Sequence, residues 1–378
     1  MISADRVESL DAPADIAAEA AAGIEGFLRA KAAEFAAISP DTAEIGDSLI
    51  AYTRGGKRIR PVLLWWGFQL AAGSELTPGS QARTGLAEAA ASLELLHAAA
   101  LIHDDVIDHS DTRRGAPALH RQFESLHASL GYEGDGEAFG VSAAIVIGDI
   151  CLALSEELFE SAQDRLGASV PAQRLRAQMR RDVMVGQFLD VRAEVIPLDD
   201  ARIGERAWEV LSFKSAKYSV EQPLLLGAAL GGADDAQLAA LSRFGLPLGQ
   251  AFQLRDDVLG VVGDPSATGK PAGDDIREGK RTVLIAESLR RMDREQADLF
   301  ASRLGDPTLS AETVAETVAM LREVGGLDAL EEIIADRHAA ALSELSAWSG
   351  GNGAAFDLGE GARTRLTSFA ETLSYRQR

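Results

Sequence analysis

With 378 residues, 46% of them hydrophobic, and a formal net charge of −21, the chain can bury a large core and lacks the positive surface that nucleic-acid backbones demand. Cys151 is the only cysteine, so an intrachain disulfide is impossible, and it reads as a small buried apolar residue. The first residues carry no basic region followed by an apolar run, and no stretch approaches the ~20 uninterrupted apolar residues of a membrane span. A cytoplasmic protein with no membrane span is expected.

Residues 1–20 are acidic and are expected to form a flexible N-terminus, followed by a single helical domain over residues 21–378. Alanine and leucine recur at helical spacing nearly everywhere, and alternating β-branched strands with hairpin turns are missing. The predicted class is all-α, with roughly ten or more helices. Against the acidic background, Arg54 to Arg60 (RGGKRIR) gathers positive charge able to hold a small phosphorylated ligand. The spacing of Leu86, Ala89, Ala90, Leu93, Leu96 and Leu101 then predicts an apolar-striped helix over Gln81 to His103. Gly/Pro or charged breaks follow at Gly131 to Gly140, Ile196 to Asp200, Gly231 to Asp235, Gly263 to Asp274 and Gly350 to Gly361, none long enough to be a domain linker.

Two acidic helix ends stand out. LIHDDVIDHSDTRRG puts Asp104, Asp105 and Asp108 within one turn, with Asp104 and Asp108 at i and i+4 on one face. Like charges this close need either full solvation or a cation, and carboxylate oxygens are what Mg²⁺ prefers, completed by waters and substrate phosphates. GQAFQLRDDVLGVVGD repeats the theme with Asp256 and Asp257. Arg113 and Arg114 follow the first segment, and Lys270, Lys280 and Arg281 follow the second. They are either salt-bridged surface groups or a phosphate clamp beside bound metal.

These residues resemble the trans-isoprenyl diphosphate synthases, the polyprenyl synthetase family. The resemblance runs from about Gly55 to Thr282 and rests on an ordered set: GGKRIRP from Gly55, HDDVIDHSDTRRG from His103, FKSAKY from Phe213, GQAFQLRDD from Gly249 and TGKPAGDDIREGKRT from Thr268. It implies a large helical bundle around a central apolar cavity. It also implies a homodimer and a Mg²⁺-dependent condensation of isopentenyl diphosphate with an allylic diphosphate. By position, Asp104, Asp108 and Asp256 resemble metal ligands for about three Mg²⁺ ions. Asp105 supports the first pair, and Asp257 and Asp275 lie outside the third. Lys57, Arg60, His97 and Arg114 match positions that hold isopentenyl diphosphate, and Arg113, Lys214 and Lys270 those that hold the allylic diphosphate. Lys280 belongs to the same substrate-binding set. Ser215 keeps a hydroxyl where the family often has Thr, and Gln253 and Tyr218 match polar positions facing the reacting carbons. Read from the residues alone, Tyr218, Gln253 and His97 also fit satisfied core polar groups.

The chain departs from the family at one point. Many members carry a third aspartate in the second motif, where this chain reads Asp256, Asp257, Val258, Leu259, Gly260. The positions forming the floor below the first motif would be Ala99 and Ala100, with Leu96 a further turn down, and small residues there favour geranylgeranyl diphosphate as product. A longer polyprenyl product, a class I terpene cyclase and a catalytically silent subunit of a heteromeric synthase are the alternatives.

Overall fold

The structure, a computed structural model, describes residues 7–73, 76–263, 273–348 and 354–376. As expected, the described chain is helical almost throughout. One two-stranded ladder interrupts it, β1 (Thr112–Arg113) against antiparallel β2 (Ala116–Pro117). The helices separate by their own packing into two compact units.

The unit made of residues 11–69 and the described part of 74–170 contains α1 (Pro13–Ile38), α2 (Ala43–Tyr52), most of α3 (Ile59–Ala72), α4 (Gln81–Ile107), α5 (Leu119–Leu130) and α6 (Gly136–Leu166). Ser80 caps α4 by accepting from the Arg83 amide, and Asp135 caps α6 by accepting from the Glu137 and Ala138 amides, each satisfying amides that have no partner inside the helix. A core of Ile24, Leu28, Leu49, Leu95, Ala99, Ile147 and Cys151 holds α1, α2, α4 and α6 together. Cys151 is fully buried there, as its sequence reading required, and burial pushes its thiol up to about 12.

The other unit, residues 7–10, 70–73 and the described part of 171–378, includes the last residues of α3 and takes in nearly all of α7 (Val170–Glu194) and then α8 (Ile203–Val210). A π-helix over Leu211–Glu221 follows, then α9 (Gln222–Leu230), α10 (Asp235–Val262) and α11 (Asp274–Glu278). It ends with α12 (Val283–Leu289), α13 (Arg294–Arg303), α14 (Ala311–Glu323), α15 (Gly326–Ala347) and α16 (Glu360–Tyr375). A capping box between Asp234 and Gln237 starts α10, which packs on the π-helix, α15 and α16.

One expectation needs correction. The N-terminus is not loose over residues 7–20. The Val7 amide donates to the Asp357 carbonyl at 2.9 Å, α1 already starts at Pro13, and Ile16 and Ala20 are fully buried. Apolar spacing inside an acidic stretch was masked by its net charge. In addition, α4 and α6 are each long and apolar enough to cross a membrane by length and composition. In α4 that window is 72% buried within the protein, whereas in α6 it is only 39% buried.

Candidate active site

The end of α4 is built so that three neighbouring aspartates do different work. Asp105, fully buried, accepts from the Arg113 guanidinium through both Nε, at 2.7 Å, and a terminal nitrogen. Its other oxygen accepts from the Tyr52 hydroxyl at 3.2 Å. Burial holds the Asp105 carboxyl above its ordinary range despite Arg113. Burial alone would lower the Arg113 pKa, but Asp105 overrides it and leaves it raised. Asp104, at i and i+4 with Asp108, lies within 3.7 Å of Arg113, and Asp108 closes the helix as its C-cap. Their carboxylates stand at the negative end of the α4 dipole. This all-oxygen donor set suits a hard divalent cation.

The basic loop is held against the same helix. Arg58 is buried, donating to Glu94 of α4 and to the Thr53 carbonyl. Lys57 beside it is exposed and Arg60 is half-buried. Arg114 donates to the Arg54 carbonyl at 3.3 Å and lies over Gly56, where an added Cβ would stand 3.3 Å from its guanidinium. His97, one turn beyond Glu94, has its pKa pushed well below the ordinary value by burial and by Arg60, Arg114, Arg113 and Arg58. Among the described residues, the non-glycine residues with positive φ are Arg58, His109 and Arg114. Such strain gathers where surrounding structure imposes a functional geometry.

In the other unit, Lys214, Ser215 and Tyr218 ride on the π-helix. A Cβ at Gly186 of α7 would fall 2.3 Å from the Lys214 amide nitrogen, and one at Gly249 of α10 would fall 2.4 Å from the Ala216 carbonyl oxygen. Glycine at both points lets the three elements approach this closely. Lys214 donates to Asp190 at 2.5 Å. Gln253 donates to Asp257 at 2.9 Å, whose carboxyl is pushed up to about 8 by burial, with Asp275 and Asp190 adding to the shift and Gln253 and Lys280 opposing it. Lys280 pairs with Glu278 at 2.5 Å and lies 4.0 Å from Asp275. Asp256 is paired with Arg376, beyond the end of α16, whose guanidinium also lies 4.2 Å from the Phe252 ring centroid. Lys270 lies outside the described residues.

The polyprenyl synthetase profile matches residues 43–321, a span that includes every motif above. The chain belongs to the polyprenyl synthetase family. Among relatives of this family, the geranylgeranyl diphosphate synthase of Sulfolobus acidocaldarius is 30% identical over 276 residues, 72% of this chain and 74% of its own length. The nonaprenyl diphosphate synthase of Mycobacterium tuberculosis is 31% identical over 303 residues, 80% of each chain. A solved geranylgeranyl pyrophosphate synthase from Corynebacterium glutamicum, complexed with isoprenyl diphosphate and magnesium, superposes with a TM-score of 0.85 at 37% identity, covering 95% of this chain and 98% of that one. This polyprenyl synthetase is accordingly an enzyme, a head-to-tail prenyltransferase of the all-trans type.

The positions read as a product floor are not equivalent. Ala99 is packed into the core with Ile147 and Cys151, whereas Ala100, partly exposed, shares the helix face of Asp104 and Leu96 at i+4 spacing. Sequence reasoning missed Tyr52, Arg58, Glu94, Asp190 and Arg376. Arg58 lay inside the basic run already singled out, and Asp190 lies four residues after Gly186 on one helix. Tyr52, Glu94 and Arg376 carried no local signal.

Proposed function

We propose that this prenyltransferase joins isopentenyl diphosphate to an allylic diphosphate with geranylgeranyl diphosphate as its main product. The observation that carries the reading is the division of labour at the end of α4. Asp105 is turned inward to hold Arg113, while Asp104 and Asp108 share the adjoining face. One helical turn thus offers both metal-binding oxygens and a fixed guanidinium.

Asp104, Asp108 and Asp256 would hold Mg²⁺, about three ions in all, which supplies neutralisation of the charge developing on the departing diphosphate. Arg113, Lys214 and Lys270 hold the allylic diphosphate as its C–O bond breaks. Lys57, Arg60, His97 and Arg114 hold isopentenyl diphosphate so that its double bond attacks the allylic carbon, forming the new C–C bond. The proton then lost passes to the released diphosphate. Asp105 and Tyr52 position Arg113, and Lys280 supports the charge balance around Asp257 and Asp275. Tyr218 and Gln253 would face the reacting carbons, and the Ser215 hydroxyl joins the substrate-binding set. Rate comes from placement and fixed charge in a site shielded from water.

Both compact units act as one synthetase domain in this reading. The enzyme works in the cytoplasm as a homodimer, joined through α6, which leaves Ile145 and Val146 44% and 56% exposed on a strongly apolar helix. Incubation with isopentenyl diphosphate and each allylic primer in Mg²⁺, followed by chromatography of the dephosphorylated products, tests the assignment. Geranylgeraniol as the dominant alcohol supports it. Longer alcohols would instead assign a polyprenyl synthase, and a cyclic hydrocarbon a cyclase.

A further inference from the structure

The last turn of α16 is fixed on α10 and α15 and delivers a cation to the second acidic motif. Arg255 of α10 donates through Nε to the Ser374 carbonyl at 3.0 Å and through its two terminal nitrogens to Glu331 at 2.7 and 2.6 Å. The Ser374 hydroxyl lies 3.0 Å from Nδ1 of the buried His338, and the Tyr375 ring meets that imidazole edge-on with centroids 5.0 Å apart. The backbone then leaves the helix at Arg376, at φ −59° and ψ 149°. There the guanidinium lies 4.2 Å from the Phe252 ring centroid and donates to Oδ1 of Asp256, one turn further along the same face of α10. The Arg376 side chain is 9% exposed and that of Asp256 40%, so the cation is the more enclosed partner and the carboxylate keeps a side open to solvent. Nε of Arg376 is shielded from water and has no hydrogen-bond partner among the described residues, so the guanidinium is held below its donor capacity. A divalent ion on Asp256 needs the oxygen that Arg376 occupies, and two cations in contact there repel each other.

We propose that Arg376 is the resident counter-ion of Asp256 in the metal-free enzyme and competes directly with the divalent cation, so that Arg376 sets the affinity of the second acidic motif for its metal. The proposal rests on Asp256 binding Mg²⁺, and it deepens that reading by naming the group the ion must displace. The pair keeps Asp256 in place before metal arrives. Displacement does not require α16 to unfold, because the anchors through Arg255, Ser374 and His338 do not involve Asp256.

The test is binding of Mn²⁺ alone to the full-length enzyme, followed through the EPR signal of the free ion, with thermal unfolding of every variant recorded in EDTA and in saturating Mn²⁺. Arg376→Gln should tighten the binding that depends on Asp256 by roughly three- to tenfold, the range between a solvent-screened ion pair and a shielded charge-assisted hydrogen bond. Arg376→Met, which keeps an apolar stem beside Phe252, should do the same and is the variant to read if Arg376→Gln does not fold. In EDTA each should melt below the parent, and Mn²⁺ should narrow the gap, because the metal-loaded parent has given up the same pair. In an Asp256→Asn background, exchanging Arg376 should leave Mn²⁺ affinity unchanged. Asp256→Asn by itself separates the two readings. If it leaves Mn²⁺ binding unchanged, Asp256 is not a ligand and the competition falls with it. If it weakens binding while the Arg376 variants bind Mn²⁺ no more tightly than the parent, or if the melting gap is as wide in Mn²⁺ as in EDTA, Asp256 stands as a ligand and the competition is wrong.

Discussion

The buried Arg58 guanidinium joins Glu94 on α4, one turn before His97, to the Thr53 carbonyl, fixing the loop that carries Lys57 and leads into Arg60 of α3. Both partners are almost fully shielded from solvent, and removing one member of a buried ion pair typically costs ~3–5 kcal/mol. Arg58→Lys should keep the charge but lose the fork geometry that reaches both acceptors. We expect Arg58→Lys and Glu94→Gln to raise the KM for isopentenyl diphosphate several-fold while leaving that for the allylic substrate nearly unchanged. Lys57→Ala should show the same selectivity without loss of stability. Equal changes in both KM values, from initial rates with each substrate varied, would mean that the loop serves both diphosphates.

Asp104→Asn or Asp256→Asn should lower kcat by roughly 10² or more, the scale of losing a major electrostatic contribution. Neither change disturbs a buried core residue, so circular dichroism and melting behaviour should match the parent enzyme. Near-parental turnover at saturating Mg²⁺ would remove these carboxylates from the proposed ligand set.

The depressed pKa of His97 makes a prediction for the ligand-free enzyme. Burial and the four surrounding arginines keep the folded imidazole neutral, while the unfolded chain takes up a proton near the ordinary value of about 6.5. Its contribution to stability is therefore intact above that pH. It should be lost as pH falls towards the lower folded value, with a slope of at most about 1.4 kcal/mol per pH unit. Melting temperatures from pH 7.5 to 5.5 should fall less steeply in His97→Asn than in the parent; parallel curves would contradict the assigned neutral state.

Product length should respond differently at two adjacent alanines. Ala100→Phe, on the face of Asp104, should shift the main product towards farnesyl diphosphate. Ala99→Phe instead overpacks the core around Ile147 and Cys151 and should cost ~1–3 kcal/mol of stability. Leu96→Ala, one turn further down, should allow longer products. An active Ala100→Phe enzyme with the parental product spectrum would place the floor elsewhere.

Much of the helical class and the charged motifs was legible in the sequence, because apolar spacing reports one helix at a time and the motif residues lie within a turn of one another. What was not legible depends on distance along the chain. Tyr52 and Glu94 acquire meaning only once α2 and the basic loop are packed against α4, which brings Tyr52 to Asp105 across 53 positions. The Asp275 carboxylate that rests against Gly260 likewise comes from a separate helix, pinned through Ile276. The N-terminus was misread because charge dominated the impression while Ile16, Ala20, Ile24 and Leu28 formed the buried stripe of α1.

The pairing of Arg376 with Asp256 bears on how the protein is handled. The Arg376 guanidinium itself sits on a carboxylate proposed to bind metal. A purification tag fused there, above all a histidine tag that itself captures divalent ions, would compete at that position. An enzyme without such a tag is the sounder reference for Mg²⁺ titrations.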